Sequence, residues 1–396
     1  DRGLVGSEMC IRDRINRMAL ILNEEQQSLK DIAKEFLQKN APVTHFREIR
    51  DTENELGYDE KLWKDMVDLG WSGILVPEEY GGFDFGMVGM GSIFEEMGKM
   101  LTPSPLFATG VLGASLITLG GSNSQKQNYL PQIVDGSITT ALAVEESNRH
   151  SLSQINTQAI KEGADYKITG DKTFVIDGHS ASLLIVAART GGKEGDLSGI
   201  TLFLIDPQST GVTITKTSMV DSRNSANISF DGVIVSSENI LGEENSGSGI
   251  LEQVVDRAQV AISAEMLGNA SQAFDLTLAY LKERKQFGSL IGTFQALQHR
   301  AAEMYSELEL TKSSVIAACV AVDENSNDLT RMASLAKFKA GETNHLVTNE
   351  AVQMHGGVGV TDEYDVGLYL KRARVTEHIF GNAEYHLDRY ASLSEY

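Results

Sequence analysis

The stretch best suited to chemistry lies near the carboxyl end of the chain, at residues 349–389. Apolar positions at helical spacing reach Met354 and stop at the pair Gly356 and Gly357, and a second amphipathic segment follows a short polar turn. Glycine lets a ligand approach the backbone closely, and the N–H groups at the start of a helix favour an anion. The stretch therefore predicts an anion site between helices, with ordinary helix ends and turns as the alternative.

Histidines and cysteines predict no metal site. Four histidines lie in or near this stretch: His345, His355, His378 and His386. None has a metal-binding spacing such as HExxH, so each is expected to be structural or on the surface. The two cysteines, Cys10 and Cys319, form neither a CxxC nor another metal pattern, which fits a reducing compartment.

Length and composition predict a globular protein of two or three domains. The chain has 396 residues, of which 41% are hydrophobic and 22% charged. A formal net charge of −21 disfavours nucleic acid as a partner, because a phosphate backbone repels such a surface. No apolar run approaches the roughly 18 residues of a membrane-spanning helix, and we expect a cytoplasmic location.

Residues 1–17 lack both a clean periodicity and the order of regions that a signal peptide has. We expect this segment to be a non-native or disordered extension, with Met18 as the natural start. Cys10 belongs to the segment and carries no further argument.

The secondary structure that must hold the candidate site residues changes type twice along the chain. Helical spacing, with Asn23 as a candidate N-cap, gives way at Ile138 to short runs rich in Val, Ile, Thr and Phe, and helices return near residue 245. No proline follows Pro207, so long helices are expected at about 246–283, 294–322 and 329–354. We predict an α+β chain with an N-terminal helical domain (18–137), a middle antiparallel β domain (138–242) and a C-terminal domain of four-helix-bundle type (243–396).

Three stretches together resemble the acyl-CoA dehydrogenase family. They are GWSGILVPEEYGGFDFG at residues 70–86, ERKQFGSLIGTFQALQHRAAEMY at 283–305 and QMHGGVGVTDEYDVGLYLKRAR at 353–374. The resemblance covers about residues 20–394, and the domain order agrees with it. It implies a dimer or tetramer with FAD between subunits, α,β-dehydrogenation of an acyl-CoA thioester, and transfer of the electrons to an electron-transfer flavoprotein.

The resemblance also implies contacts with FAD. The nucleotide end would meet a guanidinium, which binds phosphate well, bare glycine backbone and short polar side chains. The residues at these positions are Arg284, Gln286, Phe287, Gln353, Gly356, Gly357, Asn382 and Glu384. Glu384 replaces a glutamine of the family and adds a charge, which leaves its contact open.

Near the flavin ring, the chain departs from the family pattern. Phe174 replaces a tryptophan and keeps an aromatic face, whereas Ile176 replaces a threonine and loses a side-chain hydrogen bond. The glycine-rich sequence EPGAGSD of the family becomes EESNRHS, in which Glu145 or Glu146 retains the acid.

The carboxylate base that the family's reaction needs is missing from both of its usual positions. Phe380 stands where most members carry glutamate, and the alternative positions on the long helix hold Ala258 and Gln259. Two acids nearby are candidate bases. Asp256 lies on a different face of the helix, and Glu265 shares the face of Ala258 about 10 Å further along the axis.

Two functions follow from this gap. The first is a working acyl-CoA dehydrogenase with a displaced base. The second is a catalytically incomplete partner subunit of a hetero-oligomer, which supplies part of the FAD site and of the assembly. The sequence HGG…GLYLKRAR…GNAEYHLDR resembles family members that form α₂β₂ tetramers and act on steroid side chains or dicarboxylic acyl-CoAs. Fatty acid or steroid side-chain catabolism is the expected setting, and the acyl group itself stays open.

Overall fold

A computed structural model describes residues 22–394 of the chain. The expectations for residues 1–17, for Met18 and for Cys10 lie outside these residues. None of the helices in the described part is both long enough and apolar enough to cross a membrane.

The amino-terminal part is helical, as predicted. Asn23 caps the first helix by accepting from the Gln26 N–H, while the Gln26 side chain accepts from the Asn23 N–H. A π-helical segment at Phe107–Gly113 leads directly into the fifth helix. Between residues 22 and 137 the α-helices are α1 (Glu24–Asn40), α2 (Val43–Asp51), α3 (Glu60–Asp68), α4 (Met87–Met100), α5 (Ala114–Gly120) and α6 (Asn123–Val134).

The middle part is an eight-stranded sheet in which β6, β7, β3, β2, β4, β5 and β8 are neighbours in that order. The strands are β1 (Thr140–Ala143), β2 (Gln158–Glu162), β3 (Asp165–Ile176), β4 (Leu183–Arg189), β5 (Ile200–Ile205), β6 (Val212–Lys216), β7 (Ser225–Ser236) and β8 (Ile240–Leu241). Most pairs are antiparallel, as predicted. However, β1 runs parallel to β4, and β2 meets β4 in one parallel pair. The long connection that contains the β2–β3 hairpin lets the chain return in the same direction.

Strand β4 has an almost continuous apolar sequence instead of an alternation of apolar and polar residues. All seven of its residues are buried. Leu183, Ile185 and Ala187 pack in the main core shared with the helices, whereas Leu184 and Val186 pack in a second core on the other face.

The carboxyl-terminal part returns to helices. In the described residues these are α7 (Gly247–Glu283), α8 (Gln295–Asp323), α9 (Leu329–His355), α10 (Val366–Thr376) and α11 (Ala383–Leu393), with a short hairpin of β9 (Lys285–Gln286) and β10 (Ser289–Leu290) after α7. The three long helices match the lengths expected from the absence of proline.

A close crossing of α4 and α7 positions the site. A Cβ atom on Gly268 would lie 1.8 Å from the carbonyl oxygen of Glu95, and one on Gly98 would lie 2.1 Å from that of Glu265. Only glycine allows the two backbones to come this close. The crossing sets the middle of α7, including Glu265, against the amino-terminal helices.

Candidate active site

Two neighbouring cavities lie where the sheet meets the helices. The first, here the Phe380 cavity, has a volume of about 290 Å³ and is lined by residues that include Glu145, His150 and Phe380. The second, the Glu265 cavity, has about 50 Å³ and is lined by residues that include Asp177, Arg223, Glu265 and Arg372. Phe174, Ile176 and Ile379 line both cavities and separate them. The structure thus brings Phe174, Ile176 and Phe380 together at one cavity.

Glu265 is held in a buried ion cluster. Arg372 on α10 donates from Nε to Oε1 at 2.7 Å and from Nη2 to Oε2 at 2.9 Å, and its Nη1 donates to Asp221 Oδ2 at 2.8 Å. Burial raises the pKa of Glu265, but the charge and hydrogen bonds of Arg372 outweigh burial and leave the pKa below its usual value. Glu265 therefore stays ionised with both oxygens engaged, which argues against the predicted role as a base.

Asp177 shares the Glu265 cavity and behaves differently. It follows Ile176 with a φ of 56°, the left-handed region that Asp and Asn tolerate best among side-chain residues. Burial raises its pKa to about 7, against the opposing charges of Arg223 and Arg372. Sequence reasoning missed this group, although an acid next to Ile176 was a visible signal.

Asp256 lies outside the lining of both cavities. Its Oδ1 accepts from Arg389 Nη1 at 2.7 Å, and its Oδ2 accepts from the Thr330 hydroxyl at 2.7 Å. The carboxylate ties α7 to α11 and to α9. This geometry favours a structural role over the predicted role as a base.

The turn that carries Phe380 is fixed through its carbonyl groups. The Phe380 oxygen accepts from Gln259 Nε2 and from His386 Nε2, each at 3.0 Å, and the Gly381 oxygen accepts from Lys337 Nζ at 3.1 Å. Burial lowers the pKa of Lys337 to about 7 and that of His386 to about 2, so the histidine is neutral. Gln259, at one of the usual base positions, is thus an anchor for this turn.

The loop after β1 supplies two titratable groups, Glu145 and His150, to the Phe380 cavity. The loop is tied to the sheet because the Thr173 N–H donates to the Glu145 carbonyl at 2.9 Å, and Glu146 pairs with buried Lys172 at 2.6 Å. Next to these anchors, His150 Nδ1 lies 2.6 Å from Glu145 Oε1. The His150 side chain is only 3% exposed.

Sequence reasoning missed His150. Its ring lies edge-on to Phe380, with centroids 5.8 Å apart, and edge-on to Tyr385 at 5.1 Å. Its Nε2 is buried and has no hydrogen-bond partner among the described residues. The available signal was a histidine five residues after an acid, in the loop that replaces the family's glycine-rich turn.

The residues predicted for the nucleotide end of FAD lie apart from both cavities. Those at the α7–β9 corner and at the end of α9 are exposed, and Phe287 is 92% exposed. A Cβ on Gly356 or on Gly357 would meet nothing within 4 Å, so the backbone there is open to a ligand. Asn382 caps α11 by accepting from the Tyr385 N–H at 3.0 Å, and Glu384 is exposed in the first turn of that helix. Open backbone and surface position fit a cofactor that a second chain also contacts. Within residues 22–394, no cluster of three His, Cys, Asp or Glu side chains could hold a metal ion.

Three domain families match consecutive parts of the chain. The acyl-CoA dehydrogenase N-terminal domain matches residues 23–137, the middle domain residues 140–233 and the C-terminal domain residues 245–392. Together they match most of the sequence.

Individual relatives agree with this. A probable acyl-CoA dehydrogenase of Bacillus subtilis is 33% identical over 369 residues, which cover 92% of this chain and 96% of that protein. The structure of butyryl-CoA dehydrogenase from Megasphaera elsdenii is similar with a TM-score of 0.87 and 29% identity, covering 95% of this chain and 99% of that one. A chain of the ChsE4–ChsE5 complex from Mycobacterium tuberculosis is similar with a TM-score of 0.85 and 26% identity, covering 96% and 100%. The chain belongs to the acyl-CoA dehydrogenase family.

Proposed function

We propose that this chain catalyses the FAD-dependent α,β-dehydrogenation of an acyl-CoA thioester and passes the electrons to an electron-transfer flavoprotein. The observation that carries the proposal is the Phe380 cavity. Its volume of about 290 Å³ lies between the β-domain residues Phe174 and Ile176 and the turn before α11. A mostly apolar cleft with a few converging polar groups is the usual form of a small-molecule site.

The residues present fit FAD, the cofactor of the family. Phe174 offers an aromatic face at the cavity wall, and His150, whose buried Nε2 has no hydrogen-bond partner among the described residues, lines the same cavity. Arg284 and the open backbone at Gly356 and Gly357 would hold the nucleotide end. FAD, when bound, supplies the acceptor for the hydride of the β carbon.

The chain's own part is to orient the thioester, exclude water and remove the α proton. The turn at Phe380 is rigid because Gln259 and His386 both donate to its carbonyl. A backbone N–H held in such a turn is a good donor to the thioester oxygen, where negative charge develops as the α proton leaves. Phe380, whose ring lies 6.4 Å from that of Phe107, centroid to centroid, keeps this wall apolar.

A second function has a specific observation in its favour. Phe380 and Ala258 carry no acid, and Asp256 and Glu265 are both engaged with arginines. A chain of this kind serves as the catalytically incomplete partner of a homologous chain, to which it contributes part of the FAD site. The likeness to a chain of the ChsE4–ChsE5 complex supports this alternative.

Expression of the chain alone, and together with homologous chains encoded nearby, tests both functions. The measurements are bound flavin per chain and anaerobic bleaching of the flavin by a panel of acyl-CoA thioesters. The dehydrogenase predicts a yellow protein that bleaches without a partner. Flavin that bleaches only after the homologous chain is added would contradict the first function and support the second.

A further inference from the structure

We propose that Glu145 and His150 form the base of this active site, with His150 Nε2 accepting the α proton of the acyl group in place of the acid missing at Phe380. The inference rests on the dehydrogenation proposed above. It assigns the chemistry to a loop of the β domain rather than to α7 or to the turn before α11.

The geometry of the pair fixes which nitrogen is available. At 2.6 Å from a carboxylate oxygen, which can only accept, Nδ1 carries the ring hydrogen and donates a hydrogen bond to Glu145 Oε1. The lone pair of the neutral ring is then on Nε2, which is buried and has no partner among the described residues. A carboxylate that holds a histidine in this tautomer is the arrangement by which hydrolases orient a general base.

The pair lies next to Phe380, the position at which most family members carry the catalytic acid. The His150 ring lies 5.8 Å from the ring of Phe380, centroid to centroid, and both side chains line the same cavity. Tyr385 packs on the same imidazole at 5.1 Å and limits its movement. A group in this cavity therefore lies next to both the usual base position and the imidazole.

The other titratable groups nearby are less suited to this step. His386 has its Nε2 committed to the Phe380 carbonyl at 3.0 Å. Glu146 is paired with Lys172 at 2.6 Å and also accepts from the Thr157 hydroxyl at 2.7 Å. His378 lines the cavity, but the carboxylate pairing belongs to His150.

The step balances in atoms and electrons. The α C–H bond breaks, its proton goes to His150 Nε2, and its electron pair becomes the second bond between the α and β carbons. The β C–H bond would break as a hydride, for which FAD, when bound, would supply the two-electron acceptor. The two electrons that the substrate loses would thereby be accounted for. The imidazolium that forms lies against the Glu145 carboxylate, which stabilises it.

Uptake of solvent deuterium at the α carbon of an acyl-CoA, measured by mass spectrometry, tests the assignment because it reports proton removal alone. The variants are His150→Gln, Glu145→Gln and His150→Ala, with bound FAD and calorimetric acyl-CoA affinity measured for each. A matched control is His45→Gln, since His45 forms another histidine–carboxylate pair, with Asp59 at 3.0 Å, and lines neither cavity.

We expect His150→Gln to keep FAD and acyl-CoA affinity and to lose at least about 100-fold in exchange, the usual contribution of a general base. Glu145→Gln should lose less, since the imidazole remains. Imidazole added to His150→Ala should restore part of the exchange, which a structural role would not allow. His45→Gln should exchange at the parent rate.

Each contrary outcome has a distinct meaning. Exchange at the parent rate in His150→Gln overturns the base while leaving the dehydrogenase intact. Loss of FAD in His150→Gln and His150→Ala, not reversed by imidazole, assigns His150 to flavin binding and also overturns the base. A parent chain that exchanges the α proton but never bleaches keeps the base and contradicts the dehydrogenation. A parent chain that does neither contradicts both.

Discussion

Two carboxylates at neighbouring cavities differ in whether they can take part in proton transfer. Glu265 is bound at both oxygens by Arg372, at 2.7 and 2.9 Å, whereas Glu145 meets a histidine nitrogen at 2.6 Å. A guanidinium keeps its charge at every accessible pH and holds its partner ionised and engaged. An imidazole, unlike a guanidinium, can itself accept a proton. The partner of an acid, rather than its distance from the family's usual base position, therefore decides whether the acid can take part in proton transfer.

The largest expected effect on stability comes from removing Arg372, the cation that holds Glu265. Arg372→Met leaves buried Asp221 without its hydrogen-bonded cation, and it leaves Glu265 with Arg223 alone, whose Nη2 lies 3.7 Å from Oε1. The free energy of unfolding should fall by about 3–5 kcal/mol. Chemical denaturation measures it. Arg374→Met, two residues along the same helix and half-exposed, is the control and should cost no more than about 1 kcal/mol. Equal losses in the two variants would show that the cluster is not the cause.

The pH dependence of stability should depend on Asp177, the second acid of the Glu265 cavity. Burial raises the folded-state pKa of Asp177 to about 7, above the roughly 3.9 of an unfolded aspartate. Between these values the native state keeps a proton that the unfolded chain has released. The free energy of unfolding therefore falls as pH rises, by up to about 1.4 kcal/mol per pH unit, and levels off above pH 7.

Asp177→Asn removes this titration and tolerates the same backbone conformation. Urea denaturation from pH 5 to 8 should show a flatter profile for the variant, which gains stability relative to the parent as pH rises. Asp171→Asn, an exposed position on strand β3, which ends directly before Asp177, is the control and should leave the profile unchanged. An unchanged slope in Asp177→Asn would contradict the raised pKa.

A third prediction concerns the turn that carries Phe380. Gly381 has a φ of 105°, and a Cβ there would lie 2.4 Å from Tyr385 and 2.9 Å from His386. Gly381→Ala should cost about 1–3 kcal/mol by denaturation, because the turn must shift. Gly249→Ala lies within α7 with open space around the new Cβ, and should stabilise by up to about 1 kcal/mol. Similar effects at both glycines would contradict the strain at Gly381.

The smallest effect on stability is expected for Asp256. Asp256→Asn keeps the size of the side chain but weakens the bonds to Arg389 and Thr330, so a loss of about 1–2 kcal/mol is expected. Deuterium exchange at the acyl α carbon should stay at the parent rate. A folded Asp256→Asn protein that no longer exchanges would restore Asp256 as the base and displace the histidine pair.

Much of the fold could be predicted because local pattern controls it. The long helices follow from the absence of proline after Pro207, and the sheet follows from short β-branched runs between turn residues. The parallel pairing of β1 with β4 could not be predicted, since each strand looks the same whichever direction its neighbour runs. The nucleotide-binding role taken from the family remains a prediction, because the residues concerned do not line either of the two cavities described above.

The family, the three-part succession of helices, strands and helices, and the lack of an acid at positions 258 and 380 can all be read from the sequence alone. Which acids are already paired with a cation becomes visible only once the chain is folded. Arg372 lies 107 residues from Glu265, and Arg389 lies 133 residues from Asp256, so spacing gives no hint of either pair. Even Glu145 and His150, five residues apart, meet only because the sheet anchors their loop against Phe380. Ion pairs and cavities form between distant segments, and their physical cause is packing that no local pattern records.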